Sequence, residues 1–283
     1  MSGMKISGAR IVITGAGSGI GEATALRCAR DGAADVICVD IDGDAAEATA
    51  AACHRHGAAS SSFVCDVADS AAVQELADAI EGNEGPVDIL VNNAGVGVAG
   101  PFLETSVDDW DWLISINLDG VAYGCHAFGP RMVERGRGQV VNIASAAAYL
   151  MSRDMPAYCA SKAGVVALSR CLRGDWASHG VGVSVICPGV INTPIPTNSR
   201  MTASRAHQQE RMQESFKVGH APDLVAKAIV KAAEKDLELV PVGFESEFAY
   251  RVLPFVPGRV KGLMTKAQLG PLPDLPNLMP WRS

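Results

Sequence analysis

Short runs of β-branched and apolar residues recur along the first two-thirds of this chain, and a helical pattern follows each of them. The runs are Ile11–Thr14, Asp35–Asp40, Ser61–Cys65, Val87–Val91, Gln139–Ile143 and Val183–Cys187. They lack strict apolar–polar alternation. A strand with one solvated face alternates, whereas a strand covered on both faces reads as a near-continuous apolar run. The patterns between them predict helices over Ser18–Arg30, Asp44–His56, Ser70–Ile80, Ser106–Arg135 and Pro156–Ser178. This alternation predicts an α/β fold, a doubly wound parallel sheet of about seven strands with helices on both faces. With 283 residues, 48% of them hydrophobic, the chain can bury one large core but is short for two full domains.

After Pro188 the rhythm changes. Residues 192–217 are polar and irregular, with a helix expected near Ser204–Phe216. A helix over Ala221–Ala233 and a last strand over Leu237–Val242 complete the body, so residues 1–243 read as one domain. Residues 244–283 differ. Phe244, Phe248 and Val252 keep helical spacing, as do Val256, Val260, Leu263 and Ala267, and a Pro-rich end runs from Pro271 to Trp281. Arg251, Arg259, Lys261, Lys266 and Arg282 outnumber Glu245, Glu247 and Asp274 there. The region reads as a basic, apolar extension packed on the body or on a neighbouring subunit.

Composition excludes several classes. Net charge is −7 and no basic stripe is present, which argues against nucleic-acid binding. The eight cysteines form no CxxC pair, and no Cys/His cluster has metal-ligand spacing, so neither a disulfide framework nor a metal is expected. Most fall inside apolar strand or helix patterns, as buried reduced thiols in a cytoplasmic protein would. Residues 1–10 are too short and polar for a signal peptide, and no apolar run reaches the length of a membrane span.

The first predicted strand runs into a glycine turn, Thr14-Gly-Ala-Gly-Ser-Gly-Ile-Gly21, and a helix begins there. Glycines let a backbone turn tightly and approach a pyrophosphate, whose charge then sits at the helix N-terminus. Gly15, Ser18, Gly19, Ile20 and Gly21 are the candidate contacts. Asp40 ends the second strand, where a carboxylate can accept hydrogen bonds from the adenosine ribose and repel a 2′-phosphate. The next residue, Ile41, offers no cation for that phosphate. NAD is therefore the expected cofactor, although an acid at this place can also simply cap the next helix.

A second constellation lies downstream. Ser145, Tyr158 and Lys162 are thirteen and then four residues apart. A free tyrosine titrates at about 10 and is a poor base at neutral pH. An ammonium one helical turn away favours the phenolate. Tyr158 can then take the proton of an alcohol as hydride leaves its carbon, or return it in the reverse direction. Ser145 would orient the substrate oxygen, and Lys162 would also hold the nicotinamide ribose.

These motifs together resemble the short-chain dehydrogenase/reductase family. The resemblance rests on the TGxxxGxG turn (Thr14 to Gly21), Asp66, the NNAG segment (Asn92 to Gly95), Asn117, Ser145, the YxxxK pair (Tyr158, Lys162) and PGxIxT (Pro188 to Thr193). It implies a Rossmann-like fold and a nicotinamide-dependent activity. It further implies that Asp66 and Val67 hold the adenine, and that Asn93, Ala94 and Gly95 line the adenosine side. Pro188, Gly189, Ile191 and Thr193 would form the nicotinamide side, and Asn117 would anchor a water in a proton relay to Lys162. Ala148 and Trp176 depart from the common pattern without removing a catalytic group.

The reading that follows is an NAD-dependent oxidoreductase acting on a secondary alcohol or ketone. Ala147, Tyr149, Leu150, Met151, Met155, Val190, Ile195 and Met201 suggest that this substrate is apolar. Two alternatives stand beside it: a non-catalytic NAD-binding regulator or scaffold, and a peripheral-membrane dehydrogenase anchored by the C-terminal tail. Residues 192–217, polar and with few evident anchors, read as a mobile substrate lid. Trp110, Trp112, Phe128, Val165, Leu168 and Leu172 give the two long helices more apolar surface than one sheet face needs. The resemblance implies that these helices pair between subunits of a homodimer or homotetramer.

Overall fold

The computed structural model describes residues 3–266. In chain order the elements are β1 (Arg10–Thr14), α1 (Gly19–Arg30), β2 (Asp35–Asp40), α2 (Gly43–Arg55), β3 (Ala59–Val64), α3 (Ser70–Glu84), β4 (Ile89–Asn92), β5 (Val98–Ala99), α4 (Val107–Ile114), α5 (Gly120–Arg135), β6 (Gly138–Ile143), α6 (Pro156–Trp176), β7 (Val181–Pro188), β8 (Arg200–Met201), α7 (Gln209–Lys217), α8 (Pro222–Lys235), β9 (Leu239–Val242), α9 (Phe244–Val252) and α10 (Gly258–Lys266). Seven strands form one parallel sheet in the order β3-β2-β1-β4-β6-β7-β9. Strand order reverses between β1 and β4, and ligands of doubly wound sheets bind beyond the strand ends at such a point.

The central strands are apolar throughout because each faces helices on both sides. Ile11 and Ile13 of β1 pack with Ala25 and Cys28 of α1 and with Val225 and Ile229 of α8. Val12 points the other way, into a layer built by Leu76 and Ile80 of α3, Phe128 and Met132 of α5 and Val165 of α6. The same split recurs in β4, where Ile89 and Val91 join the first layer and Leu90 the second. Asp42 and Asp69 cap α2 and α3 through backbone amides, and Pro156 opens α6, where a missing N–H costs nothing.

Four details differ from the sequence expectation. The helix expected over Ser106–Arg135 is two, α4 and α5, joined by a π turn over Ser115–Asp119. Periodicity alone does not register such a widening. The pair β5–β8 is also new, because two-residue strands carry no pattern to read. Phe128 and Val165 lie in the protein's own core and are not free to cover a second subunit. Seven cysteines are buried as expected, but Cys171 is exposed on α6.

Beyond β9 the chain continues through α9 and α10. Ser246 and Ala249 are buried against the body, but Phe244 is 77% exposed and Phe255 87%, with Phe248, Val260 and Leu263 also outward. The helical spacing was legible; the packing expected of these side chains is not present within one chain. Ala267 and the Pro-rich stretch from Pro271 to Trp281 lie outside the described residues. Among the described residues no helix is long and apolar enough to cross a membrane.

Candidate active site

The glycine turn follows β1 because the backbone there does what only glycine does readily. Gly15 and Gly19 have φ of +65° and +57°. A side chain on Gly21 would run into the Gly15 carbonyl, so Gly21 seats α1 against the turn and does not itself line the cleft. The Thr14 hydroxyl accepts the amides of Asn93 and Ala94 at 3.0 and 3.1 Å. In return Asn93 Nδ2 donates to the carbonyls of Thr14 and Gly15 at 2.9 and 3.1 Å. The ends of β1 and β4 are thus locked together at the switch point. Thr14 was not singled out from sequence for this role, and the side-chain amide of Asn93 serves the turn.

One continuous cleft opens there. Its wall includes Gly15, Ser18, Gly19, Ile20, Asp40, Ile41, Asp66, Val67, Asn93, Ala94 and Gly95 along one stretch, and Ser145, Tyr158, Lys162, Pro188, Gly189, Ile191 and Thr193 along the other. Asp40 Oδ2 accepts the Gly17 amide at 2.8 Å, and Oδ1 accepts that of Asp42 at 3.1 Å. Each carboxylate oxygen keeps a further lone pair for a hydroxyl. Ile41 beside it is 68% exposed and uncharged. A glycine cradle at a helix N-terminus with a carboxylate at its rim fits a dinucleotide.

At the other end, α6 carries Tyr158 and Lys162 one turn apart. Lys162 is buried, and its Nζ donates to the Ile143 carbonyl at 3.1 Å. Burial lowers its pKa from 10.5 to about 8. Burial also pushes Tyr158 up to about 12, partly offset by a hydrogen bond with Ser145. The sequence argument expects the neighbouring ammonium to lower the phenol. Desolvation dominates instead, because both groups sit in a low-dielectric pocket. Ser145 is further fixed by accepting the Ala147 amide at 3.2 Å.

Asn117 is fully buried in the π turn and does not line the cleft. Its Oδ1 accepts the Val96 amide at 2.8 Å, and its Nδ2 donates to the Val96 carbonyl at 2.9 Å and to Ser161 Oγ at 3.3 Å. It therefore pins the chain after Gly95, against which Lys162 also rests.

The cleft wall also includes Val96, Met155, Val190, Ile195, Asn198, Ser199, Met212 and Phe216. Met155, Val190 and Ile195 were expected. Ala147, Tyr149, Leu150, Met151 and Met201 do not line it; Tyr149, Leu150 and Met151 border a separate groove with Tyr250, Leu253 and Met264. Met212 and Phe216 come from α7 and had no motif to mark them.

A family model for short chain dehydrogenases matches residues 9–204. This chain belongs to that family. It is 41% identical over 255 residues to the probable oxidoreductase EphD of Mycobacterium tuberculosis, covering 86% of this chain and 43% of that protein. The chain thus spans less than half the length of this relative. It is 39% identical to the D-threitol dehydrogenase of Mycolicibacterium smegmatis over 230 residues, 81% of this chain and 88% of that one. A short-chain dehydrogenase/reductase from Burkholderia phymatum, crystallised with NAD, superposes with a TM-score of 0.82 at 31% identity, covering 92% and 96% of the two chains.

Proposed function

We propose that this protein interconverts a secondary alcohol and its ketone with NAD(H). The observation that carries the reading is that Ser145, Tyr158 and Lys162 share one cleft with the glycine turn and Asp40. Gly15 to Ile20 and Asp40 would hold the adenosine and pyrophosphate, and Ile191, Thr193 and Lys162 the nicotinamide ribose and ring. A nicotinamide bound there would supply hydride acceptance and, when oxidised, positive charge. That charge is what a phenol held near 12 requires to release its proton within the working range. Tyr158 then takes the alcohol proton, Ser145 holds the substrate oxygen, and Lys162 passes the proton onward with Asn117 bracing its surroundings.

Asp40 supports NAD over NADP, since no cation accompanies it at Ile41. Val96, Met155, Ile195, Met212 and Phe216 support an apolar substrate. Asn198 and Ser199 line the same cleft and support a second reading, a small polyol, in keeping with the name of the threitol-dehydrogenase relative. The exposed apolar face of α9 and α10 supports a homo-oligomer, to be checked by light scattering. Seven buried thiols support a reducing, cytoplasmic setting. The deciding experiment is a panel of apolar secondary alcohols and polyols with NAD⁺, followed by NADH absorbance. Turnover of apolar alcohols over polyols supports the first reading, and no turnover of any alcohol overturns both.

A further inference from the structure

The wall of the cleft that leaves β7, Pro188 to Thr193, is held from outside the family-matched segment. Gly189 N donates to the Val242 carbonyl at 2.8 Å, and the segment around Ile191 pairs with His220, with His220 N on Val190 O and Asn192 N on His220 O, both at 2.9 Å. The Val190 amide points the other way. It donates to Glu245 Oε1 of α9 at 2.7 Å. Glu245 Oε2 lies 3.0 Å from His220 Nε2, so one carboxylate joins both sides of the loop. Burial alone would push this carboxyl up; the amides of its own residue and of Val190, with His220, hold it below the usual carboxylate range.

The next residue extends the contact. Ser246 is fully buried, and its Oγ donates to the Cys187 carbonyl at 2.6 Å and bonds the Tyr149 hydroxyl. Tyr149 ends the short turn that Ser145 caps. Two consecutive residues of α9 thus reach the strand end that carries the cofactor loop and the turn that carries Ser145. Glycines permit the approach: a side chain on Gly189 would run into the Glu245 carboxylate, and Gly243, with φ +94°, lies against the His220 ring.

We propose that Glu245 is a positioning residue that sets the nicotinamide side of the cleft, so that the C-terminal extension governs how tightly the nicotinamide half of the cofactor is held. This rests on the reading of the cleft as a nicotinamide-dinucleotide site. The Val190–Glu245 bond is half-buried, and losing such a hydrogen bond to a charged acceptor costs about tenfold in an equilibrium constant. Glu245→Gln keeps an acceptor for Val190 N and offers an amide to the other tautomer of His220. Glu247 sits on the same helix, exposed, and pairs with Arg251, so Glu247→Gln is the control.

The test uses the full chain and measures Kd by calorimetry for NADH and for ADP-ribose, which lacks the nicotinamide ring. Glu245→Ala is expected to weaken NADH by about tenfold while ADP-ribose stays within about threefold. Glu245→Gln should recover most of the NADH affinity, and Glu247→Gln should match the unsubstituted protein. Equal losses for both ligands would show a merely structural role and overturn the proposal, as would no loss of NADH affinity. If the unsubstituted protein binds neither ligand, the cofactor reading itself fails and takes the proposal with it.

Discussion

Lys162 Nζ lies 5.8 Å from the centre of the Tyr158 ring and donates its hydrogen bond to the Ile143 carbonyl, the end of the adjacent strand. The ammonium is therefore anchored by the sheet, and Tyr158 is left to face the cleft with Ser145. This division of labour gives the first prediction. Tyr158→Phe should lower kcat by at least about a hundredfold, the usual scale for a lost general acid–base group, with NADH affinity nearly unchanged. Steady-state kinetics beside a binding titration checks it, and robust turnover in the variant would remove Tyr158 from the chemistry.

The second prediction concerns cofactor choice. Asp40 receives two backbone amides yet still lines the cleft beside uncharged Ile41. The unsubstituted protein should bind NADH more tightly than NADPH. Asp40→Ala with Ile41→Arg should shift the ratio toward NADPH by about tenfold or more, as charge repulsion is replaced by a phosphate-binding guanidinium. Equal affinity of the unsubstituted protein for both would refute the role of Asp40.

Much of this site was legible in the sequence, for identifiable reasons. Glycine positions, Asp40 and the Tyr158–Lys162 spacing are fixed by local geometry: a turn, a strand end and one helical turn. The strands were legible because Ile11, Val12 and Ile13 are apolar on both faces. What escaped was set by contacts between segments far apart in sequence. Thr14 reads as an ordinary strand residue until β4 brings the Asn93 and Ala94 amides to it. Asn117 was legible as a family residue, but not the π turn that aims it at Val96. Nothing local distinguishes Glu245 from other helix acids; its partners Val190 and His220 are 55 and 25 residues away.

A third prediction follows from burial of Lys162. Its folded pKa of about 8 lies below the ordinary lysine value of 10.5, so between these values the unfolded chain binds more protons than the native one. Stability therefore rises with pH across that window, and the cost of burying the ammonium is fully present below it. Lys162→Met should abolish activity yet raise the Tm at pH 7, by a free energy whose upper bound is about 3 kcal/mol. The stabilisation should shrink as pH is raised from 7 to 9.5. Thermal melts of both proteins across that range check the sign. A variant less stable at pH 7 would mean that the hydrogen bond to Ile143 outweighs the desolvation.

The last prediction concerns residues 192–217, where the sequence shows few anchors and the structure supplies several. Strand β8 pairs with β5, Arg205 reaches buried Asp154 at 2.8 Å, and Arg200 bonds Asp109 at 2.9 Å while lying 3.9 Å over the Trp112 ring. If this segment opens and closes over the substrate, these contacts hold the closed state. An exposed ion pair contributes under about 1 kcal/mol and a guanidinium over an aromatic ring a similar amount, together about a tenfold bias toward closure. Arg200→Ala should therefore raise the substrate KM by up to about tenfold and speed amide hydrogen exchange in 192–217, with NADH affinity little changed. Arg200→Lys keeps the charge without the planar stack and should fall between the two. Unchanged exchange and KM in Arg200→Ala would show that β5–β8 pairing and Arg205 hold the segment unaided.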